Sequence, residues 1–150
     1  MPEALLLRFG LCLVLVEAGA AIPGSFWGEP EAGIIGSNVY VRDDTPVHSL
    51  LHEACHVICM SPDRREYLNR DAGGDDLEEA AVCYLQILLA DCMTGVGRAR
   101  LMQDMDAWGY SFRLGSVARW FGEDAADALA WLQGVGLLST DGKPNFQLRE

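Results

Sequence analysis

The chain has 150 residues, of which 50% are hydrophobic and 22% are charged, a composition typical of one folded globular domain with its own core. Its formal net charge of −11 gives no electrostatic support to nucleic-acid binding, because phosphates attract basic surfaces. We therefore expect no nucleic-acid partner.

Residues 3–18 read E-A-L-L-L-R-F-G-L-C-L-V-L-V-E-A and predict a mostly apolar helix buried in the fold. A membrane span needs about 20 apolar residues, whereas Arg8 and Glu17 leave only eight between them, so we expect no span. The alternative is a secretory signal, because A-G-A-A follows at 18–21. A signal would begin with basic residues, but the first charged residue is Glu3. The sequence favours a helix that belongs to the domain.

The five cysteines indicate a reducing compartment. Their number is odd, and none forms a C-x-x-C pair. Most lie in apolar helical runs, where a free thiol packs as a small hydrophobe. We therefore expect a cytoplasmic protein without a disulfide framework; a secreted protein is the alternative if residues 1–20 are a signal peptide.

Two short runs of β-forming residues follow a loop rich in glycine and proline over 19–32. The runs G-I-I-G and N-V-Y-V-R are separated by Gly36 and Ser37, and they predict a hairpin or a pair of short strands. Thr45 is a favourable N-cap and Pro46 a favourable first helical residue, so we expect a helix to start there.

This helix, V-H-S-L-L-H-E-A-C-H-V-I-C-M over residues 47–60, contains the strongest motif of the chain, H-E-x-x-H. His52 and His56 are four residues apart and lie on one helix face, so both rings can direct a nitrogen at one metal ion. Glu53 is offset around the helix and can reach a water on that metal, as a general base must. A charged glutamate among apolar residues also favours a function over a chance match.

His48 extends the same histidine stripe by one turn. His48 and His56 are eight residues apart, about 12 Å along a helix, so they cannot share one ion with bonds of about 2.1 Å. The metal pair is either His48 with His52 or His52 with His56, and only the second encloses a glutamate. We expect His48 to line the cleft or to support the ligands. Cys59, one turn beyond His56, is a further ligand candidate, although its apolar neighbours favour packing.

A second helix is expected from Asp76 to Asp91. Its apolar residues form a stripe at helical spacing; they are Ala81, Val82, Leu85, Leu88 and Leu89. Glu78 falls on that stripe, whereas Glu79 lies about 100° away, on the side of Cys83 and Gln86. Asp76 and Glu79 also fit a capping pattern, in which the glutamate returns to the N–H of the cap residue. Glu79 thus has a sufficient structural explanation, and Glu78 does not.

The last third of the chain contains helical patterns but no motif that indicates a catalytic or binding site. Helices are expected over 97–107, 114–121 and 123–133, the last two separated by Gly122. Trp120 and Trp131 are more typical of a core than of a ligand site.

The two motifs together resemble the gluzincin zinc peptidases, and most closely the small ImmA/IrrE-like and minigluzincin group. Short strands precede H-E-A-C-H at 52–56, and residues 78–89 read E-x-x-A-x-x-Y-L-x-x-L-L, where the group reads roughly E-x-x-A-x-x-F-A-x-x-L-L. The resemblance covers about residues 5–91. Two positions depart from the pattern: Leu85 replaces a small residue, and no Asp follows Glu78 by four.

The resemblance implies one Zn²⁺ held by His52, His56 and Glu78, with Glu53 activating a water that hydrolyses a peptide or protein substrate. The alternative is a zinc-binding domain without peptidase activity that acts as a regulatory or interaction module.

We predict a single α+β domain over 1–150, mostly helical and zincin-like, with a short β-hairpin or sheet. Its core covers about residues 5–91, and 92–150 form a helical extension. Tyr40 and Tyr110 are candidates for stabilising an oxyanion by residue type alone.

Overall fold

The computed structural model describes residues 2–26, 28, 30–70, 72–112 and 114–150. Within them the chain forms seven helices and three strands, so the prediction of a mostly helical α+β fold with a small sheet is confirmed. The elements in order are α1 (Pro2–Arg8), β1 (Cys12–Leu15), β2 (Gly33–Ile35), β3 (Asn38–Val41), α2 (Val47–Cys59), α3 (Pro62–Glu66), α4 (Asp76–Ala90), α5 (Gly97–Trp108), α6 (Val117–Glu123) and α7 (Ala126–Gly134).

The sheet has the strand order β1-β3-β2. β2 and β3 pair antiparallel, as the predicted hairpin requires, with Ile34 opposite Val39. β1 pairs with β3 in parallel, with Leu13 opposite Val39. Ile34, Val39 and Val41 are buried, and the alternation along β3 directs one of its faces to the core.

The prediction of one helix over residues 3–18 is wrong in its second half. α1 ends at Arg8, Gly10 takes a left-handed φ of 77°, and the run C-L-V-L then forms β1. A short apolar run fits a strand as well as a helix, and here pairing with β3 decides between them. Leu6 and Leu11 are nevertheless buried in the core, so this segment packs as part of the domain.

α4 occupies the centre of the helical layer and packs against α2, α5 and α7. One continuous hydrophobic cluster extends from Leu5 in α1 to Leu138 after α7. Among the residues described, no helix is long and apolar enough to cross a membrane.

The C-terminal end of α2 is closed by two arginines from other segments. Arg65 donates from Nε and Nη2 to two carbonyls at 3.0 and 2.9 Å. Arg149 serves two more, from its backbone N at 2.9 Å and from Nη1 at 3.2 Å. These carbonyls belong to Val57 and Met60 for Arg65, and to Ile58 and Cys59 for Arg149. The last carbonyls of a helix lack partners within it, and cationic donors suit its negative end.

Candidate metal centre

α2 directs its histidine face toward α4. No glycine or proline interrupts residues 47–59, and the apolar residues of the same helix are buried in the core. The start signals predict Thr45 as the N-cap and Pro46 as the first helical residue, but the N-cap is Pro46 and the helix begins at Val47. The Thr45 hydroxyl accepts the backbone N–H of Arg42 instead of capping the helix. His56 is buried, and His52 and Glu53 are half-buried at the edge of the same surface.

Three side-chain groups converge at this surface: the imidazoles of His52 and His56 and the carboxylate of Glu79 on α4. The two Nε2 atoms are 3.1 Å apart. Oε1 of Glu79 lies 2.9 Å from Nε2 of His52, and its Oε2 lies 3.1 Å from Nε2 of His56. The ligand atoms of His52, Glu53 and His56 lie within 4.8 Å of one another, which places Glu53 beside the cluster.

This arrangement fits a zinc ion. Ligand atoms around a tetrahedral ion with bonds of about 2.1 Å lie about 3.4 Å apart. The separations of 2.9 to 3.1 Å are close to that value, so small shifts would place all three groups on one ion. Three groups that offer lone pairs to one point need a cation between them, either a proton or a metal.

The orientation of His52 is set by Gln86, a fully buried residue of α4. Nε2 of Gln86 donates to the backbone carbonyl of His48 at 3.2 Å, so the amide oxygen faces His52. Nδ1 of His52 donates to that oxygen at 2.6 Å. Since Nδ1 carries this proton, the Nε2 lone pair is available to a metal, as in the supported histidines of zinc sites.

The structure corrects the expected placement of Glu78. Glu78 is 4% exposed, and its carboxylate is bound by arginines and not by the histidines. Arg64 binds it with two parallel hydrogen bonds of 2.8 and 2.7 Å, and Arg149 adds a contact of 3.5 Å. A bidentate arginine satisfies a buried carboxylate without any metal.

Glu79 also lacks the capping role that the sequence pattern predicted for it. The N-cap of α4 is Asp75, whose side chain accepts the N–H of Glu78 at 2.8 Å, whereas the sequence pattern suggested Asp76. Glu79 is therefore not the third residue of the helix, and its carboxylate is not used in a capping box. It is half exposed and reaches the two histidines from across the interface with α2.

The pKa values of His52 and Glu79 are both shifted in the direction that favours a positive charge on the histidine and a negative charge on the glutamate. Burial lowers the pKa of His52, but hydrogen bonds with Cys83 and Glu79 outweigh it and hold this pKa well above 6.5. Burial raises the pKa of Glu79, but hydrogen bonds from His52 and His56 outweigh it and hold this pKa well below 4.5. Without a metal, a proton on His52 occupies the place of the cation.

The pKa of Glu53 is shifted upward, opposite to the shift of Glu79. Burial raises its pKa above 4.5, the imidazoles of His56 and His52 oppose the rise, and the charges of Glu79 and Glu31 add to it. A carboxylate with a raised pKa is a stronger base than an ordinary glutamate.

Two further side chains lie close to the cluster. The ligand atoms of Cys83, His52 and Glu79 are within 4.8 Å of one another, and Cys83 is buried. Tyr110, after α5, packs edge-on against His52 with ring centroids 5.7 Å apart. Its hydroxyl lies 3.2 Å from Nδ1 of His48, and burial raises its pKa to about 12. His48 therefore supports the site from outside the ligand cluster.

Cys59, the further ligand candidate on α2, packs in the core. Burial raises the pKa of its thiol and keeps it protonated. Tyr40 is not among the residues that line the cavities beside the cluster, so only Tyr110 of the two tyrosines is near it.

Two cavities meet at His52 and Glu53. The smaller, about 220 Å³, also reaches His56, Glu79 and Arg70. The larger, about 460 Å³, extends toward Trp108 and Tyr110. The cluster thus lies in a cleft with room on both sides of Glu53.

No family model, no curated protein and no solved structure matches this chain in the comparisons made with each of them. The site therefore rests on its own geometry. Sequence reasoning assigned no role to Cys83 or Gln86, yet both were visible as the continuation of one helix face. Glu79, Cys83 and Gln86 follow at i, i+4 and i+7, a polar stripe on an otherwise apolar helix.

Proposed function

We propose that the protein is a zinc-dependent peptidase of the zincin-like class, with His52, His56 and Glu79 as the metal ligands. The observation that supports this most directly is the convergence of these three groups with Glu53 beside them. Two histidines, one glutamate and an adjacent carboxylate form the ligand set and base of a catalytic zinc site with an open position. The resemblance of residues 52–56 to the H-E-x-x-H motif of the gluzincins supports a peptide bond as the substrate bond.

When bound, zinc would lower the pKa of a water to about 7 and polarise the substrate carbonyl. The chain's own groups carry the remaining roles. Gln86 holds His52 in the tautomer that leaves Nε2 free. Glu53 accepts the proton of the attacking water and delivers it to the leaving amine. Tyr110 keeps its hydroxyl proton at neutral pH, since its pKa is about 12, and lines the cavity beside Glu53, where it can donate to the carbonyl oxygen.

The test is metal content together with hydrolysis. Protein purified without chelator should contain one zinc per chain, and His52→Ala and His56→Ala should lose it. The zinc-loaded protein should cleave members of an unbiased peptide library, detected by mass spectrometry. Less than a few tenths of an equivalent of any transition metal in the wild type would contradict the metal site. Full zinc with no cleavage would contradict only the peptidase.

A second candidate function is supported by Cys83. Its thiol lies in the same group of ligand atoms as His52 and Glu79, so it can close the fourth position of a tetrahedral site. A site closed by four protein ligands is structural and leaves no place for water. The protein would then be a zinc-binding regulatory or interaction module without peptidase activity.

Cobalt substitution separates the two candidates. A thiolate on Co²⁺ gives a charge-transfer band in the near ultraviolet, whereas histidine and carboxylate ligands do not. The peptidase predicts no such band and an unchanged visible spectrum in Cys83→Ser. The closed site predicts a band that Cys83→Ser abolishes.

A further inference from the structure

The larger of the two cavities beside Glu53 is lined by both aromatic and acidic side chains. It measures about 460 Å³, within the range of small ligand sites, and it opens directly at Glu53 and His52. Two aromatic residues, Trp108 and Tyr110, line one side, and Glu31 with Ser49 lines the other.

The carboxylate of Glu31 is held in place by a hydrogen-bond relay. The backbone N–H of Ala32 donates to Oγ of Ser49 at 2.9 Å, and this hydroxyl donates to Oε2 of Glu31. Ser49 is a buried residue of α2, one turn before Glu53. The relay therefore fixes one oxygen of Glu31 to the helix that carries the metal ligands.

Two carboxylates, those of Glu31 and Glu53, line the cavity. Among the residues that the structure describes, no lysine, arginine or histidine forms an ion pair with Glu31 or Glu53. The carboxylates of Glu31 and Glu53 line the same space, where their negative charges repel one another. A positive group entering this space would relieve that repulsion.

The two aromatic side chains are presented by one tight turn. α5 ends at Trp108, and Gly109 takes a left-handed φ of 105° that a side chain would disfavour. The turn places both Trp108 and Tyr110 against the cavity. Trp108 is 51% exposed, an unusual state for a large apolar ring in a folded domain. Aromatic faces next to a carboxylate are a typical setting for a bound cation.

We propose that this cavity binds a positively charged group of the substrate next to the bond that is cleaved. The group is an ammonium or guanidinium, from a lysine or arginine side chain or from the α-amino group of the peptide. That the bound molecule is a substrate rests on the proposed peptidase function. The binding of the positive group itself depends only on Glu31, Trp108 and Tyr110. The smaller cavity, on the other side of Glu53, is lined by Arg70 together with Glu53 and Glu79.

The test compares peptides that differ in one charge. Hexa-alanine amides are made with arginine or its neutral analogue citrulline at each position, and with lysine or norleucine at the same positions. Each is prepared with a free and with an acetylated N-terminus. Binding to metal-free protein is measured by calorimetry, and kcat/KM for cleavage is measured with zinc-loaded protein.

We expect the charged member of a pair to bind about tenfold more tightly. A preference for arginine or lysine at one position identifies a side chain as the bound group, and a preference for the free over the acetylated N-terminus identifies the α-amino group. Glu31→Gln should abolish the preference. Ser49→Ala, which keeps the charge but removes the relay, should reduce it. Glu17→Gln makes the same charge change at an exposed position and should leave the preference as in the wild type.

Equal binding of charged and neutral peptides, no binding of any peptide, or a preference unchanged in Glu31→Gln would overturn the inference. Binding with the expected preference but without cleavage would support the cavity and contradict the peptidase. Cleavage without any charge preference would support the peptidase and contradict the binding of a positive group in this cavity.

Discussion

Nδ1 of His52 lies 2.6 Å from Oε1 of Gln86, and this contact links the two central helices at the candidate metal centre. The amide of Gln86 also donates to the His48 carbonyl, so it cannot rotate without losing a buried hydrogen bond. A residue with no ligand atom at the cluster thereby decides which nitrogen of His52 faces the other groups of the candidate metal centre.

Gln86→Leu should lower zinc affinity by about 10–100-fold, because the imidazole loses the acceptor that orients it. A competition titration with a chelator of known affinity measures the change. Gln103→Leu alters an exposed glutamine of α5 and should leave zinc affinity unchanged. Equal affinity of Gln86→Leu and wild type would show that the contact does not prepare the ligand.

Neighbouring glutamates should behave differently in a matched pair of variants. Glu79→Gln should reduce zinc affinity by orders of magnitude, because the amide replaces the carboxylate that faces the two histidines. Glu78→Gln should keep the zinc and cost about 1–3 kcal/mol of stability, because Arg64 loses a buried bidentate partner. Zinc titration and urea unfolding of both variants measure the two effects. The reverse pattern would restore Glu78 as the third ligand.

Glu53→Gln should retain zinc and lose hydrolysis by about 10²–10⁴-fold, because an amide keeps the shape of the side chain but accepts no proton. For the wild type, kcat/KM should fall on the acid side as pH drops through the pKa of Glu53. Cleavage at an undiminished rate by Glu53→Gln would exclude Glu53 as the base.

The stability of the metal-free protein should depend on pH in a defined direction. The raised pKa of His52 stabilises the fold fully below pH 6.5, and this contribution disappears as pH rises through the folded-state value. The lowered pKa of Glu79 stabilises the fold above pH 4.5, and this contribution disappears as pH falls. Their joint contribution is therefore largest between pH 4.5 and 6.5.

Urea unfolding of EDTA-treated protein between pH 5 and 9 should thus show a decline at the alkaline end that is absent in His52→Gln. Zinc affinity should change in the opposite sense and increase with pH, because the ligand must lose its proton to bind. A His52→Gln variant with the same alkaline decline would assign it to another group.

The N-terminal segment should be needed for folding. Leu11→Ala removes a fully buried side chain and should destabilise the domain by about 2–5 kcal/mol. Leu7→Ala changes a leucine that is 61% exposed and should have an effect within about 0.5 kcal/mol. Chemical unfolding of the two variants makes the comparison, and equal stabilities would show that the segment is not part of the core.

Periodicity identified most of the helices, since their apolar stripes are long enough to be unambiguous. It failed for residues 12–15, where four apolar residues fit either structure and only the partner strand β3 decides. The hairpin and the position of H-E-x-x-H within a helix followed from local signals alone.

Glu78 is buried on the apolar stripe, as predicted, but its partner is an arginine and not a metal ion. A buried carboxylate on the apolar stripe does need a cation, and it has one in Arg64, fourteen residues earlier. Which cation a buried acid meets depends on the path of the loop before α4. The sequence also placed Glu79 correctly on the side of Cys83 and Gln86, but it did not show that the histidines of α2 meet α4 on this side.

The closure of α2 by Arg149 has a consequence for the order in which the protein is made. Arg149 lies 90 residues after Cys59, so a nascent chain on the ribosome can complete α2 and α4 long before this arginine is synthesised. Until then two carbonyls at the end of the helix are bonded only to water, while Arg65 already serves the other two. We expect the end of α2 to be frayed in chains stalled before Arg149 and to become protected from hydrogen exchange once Arg149 can reach it.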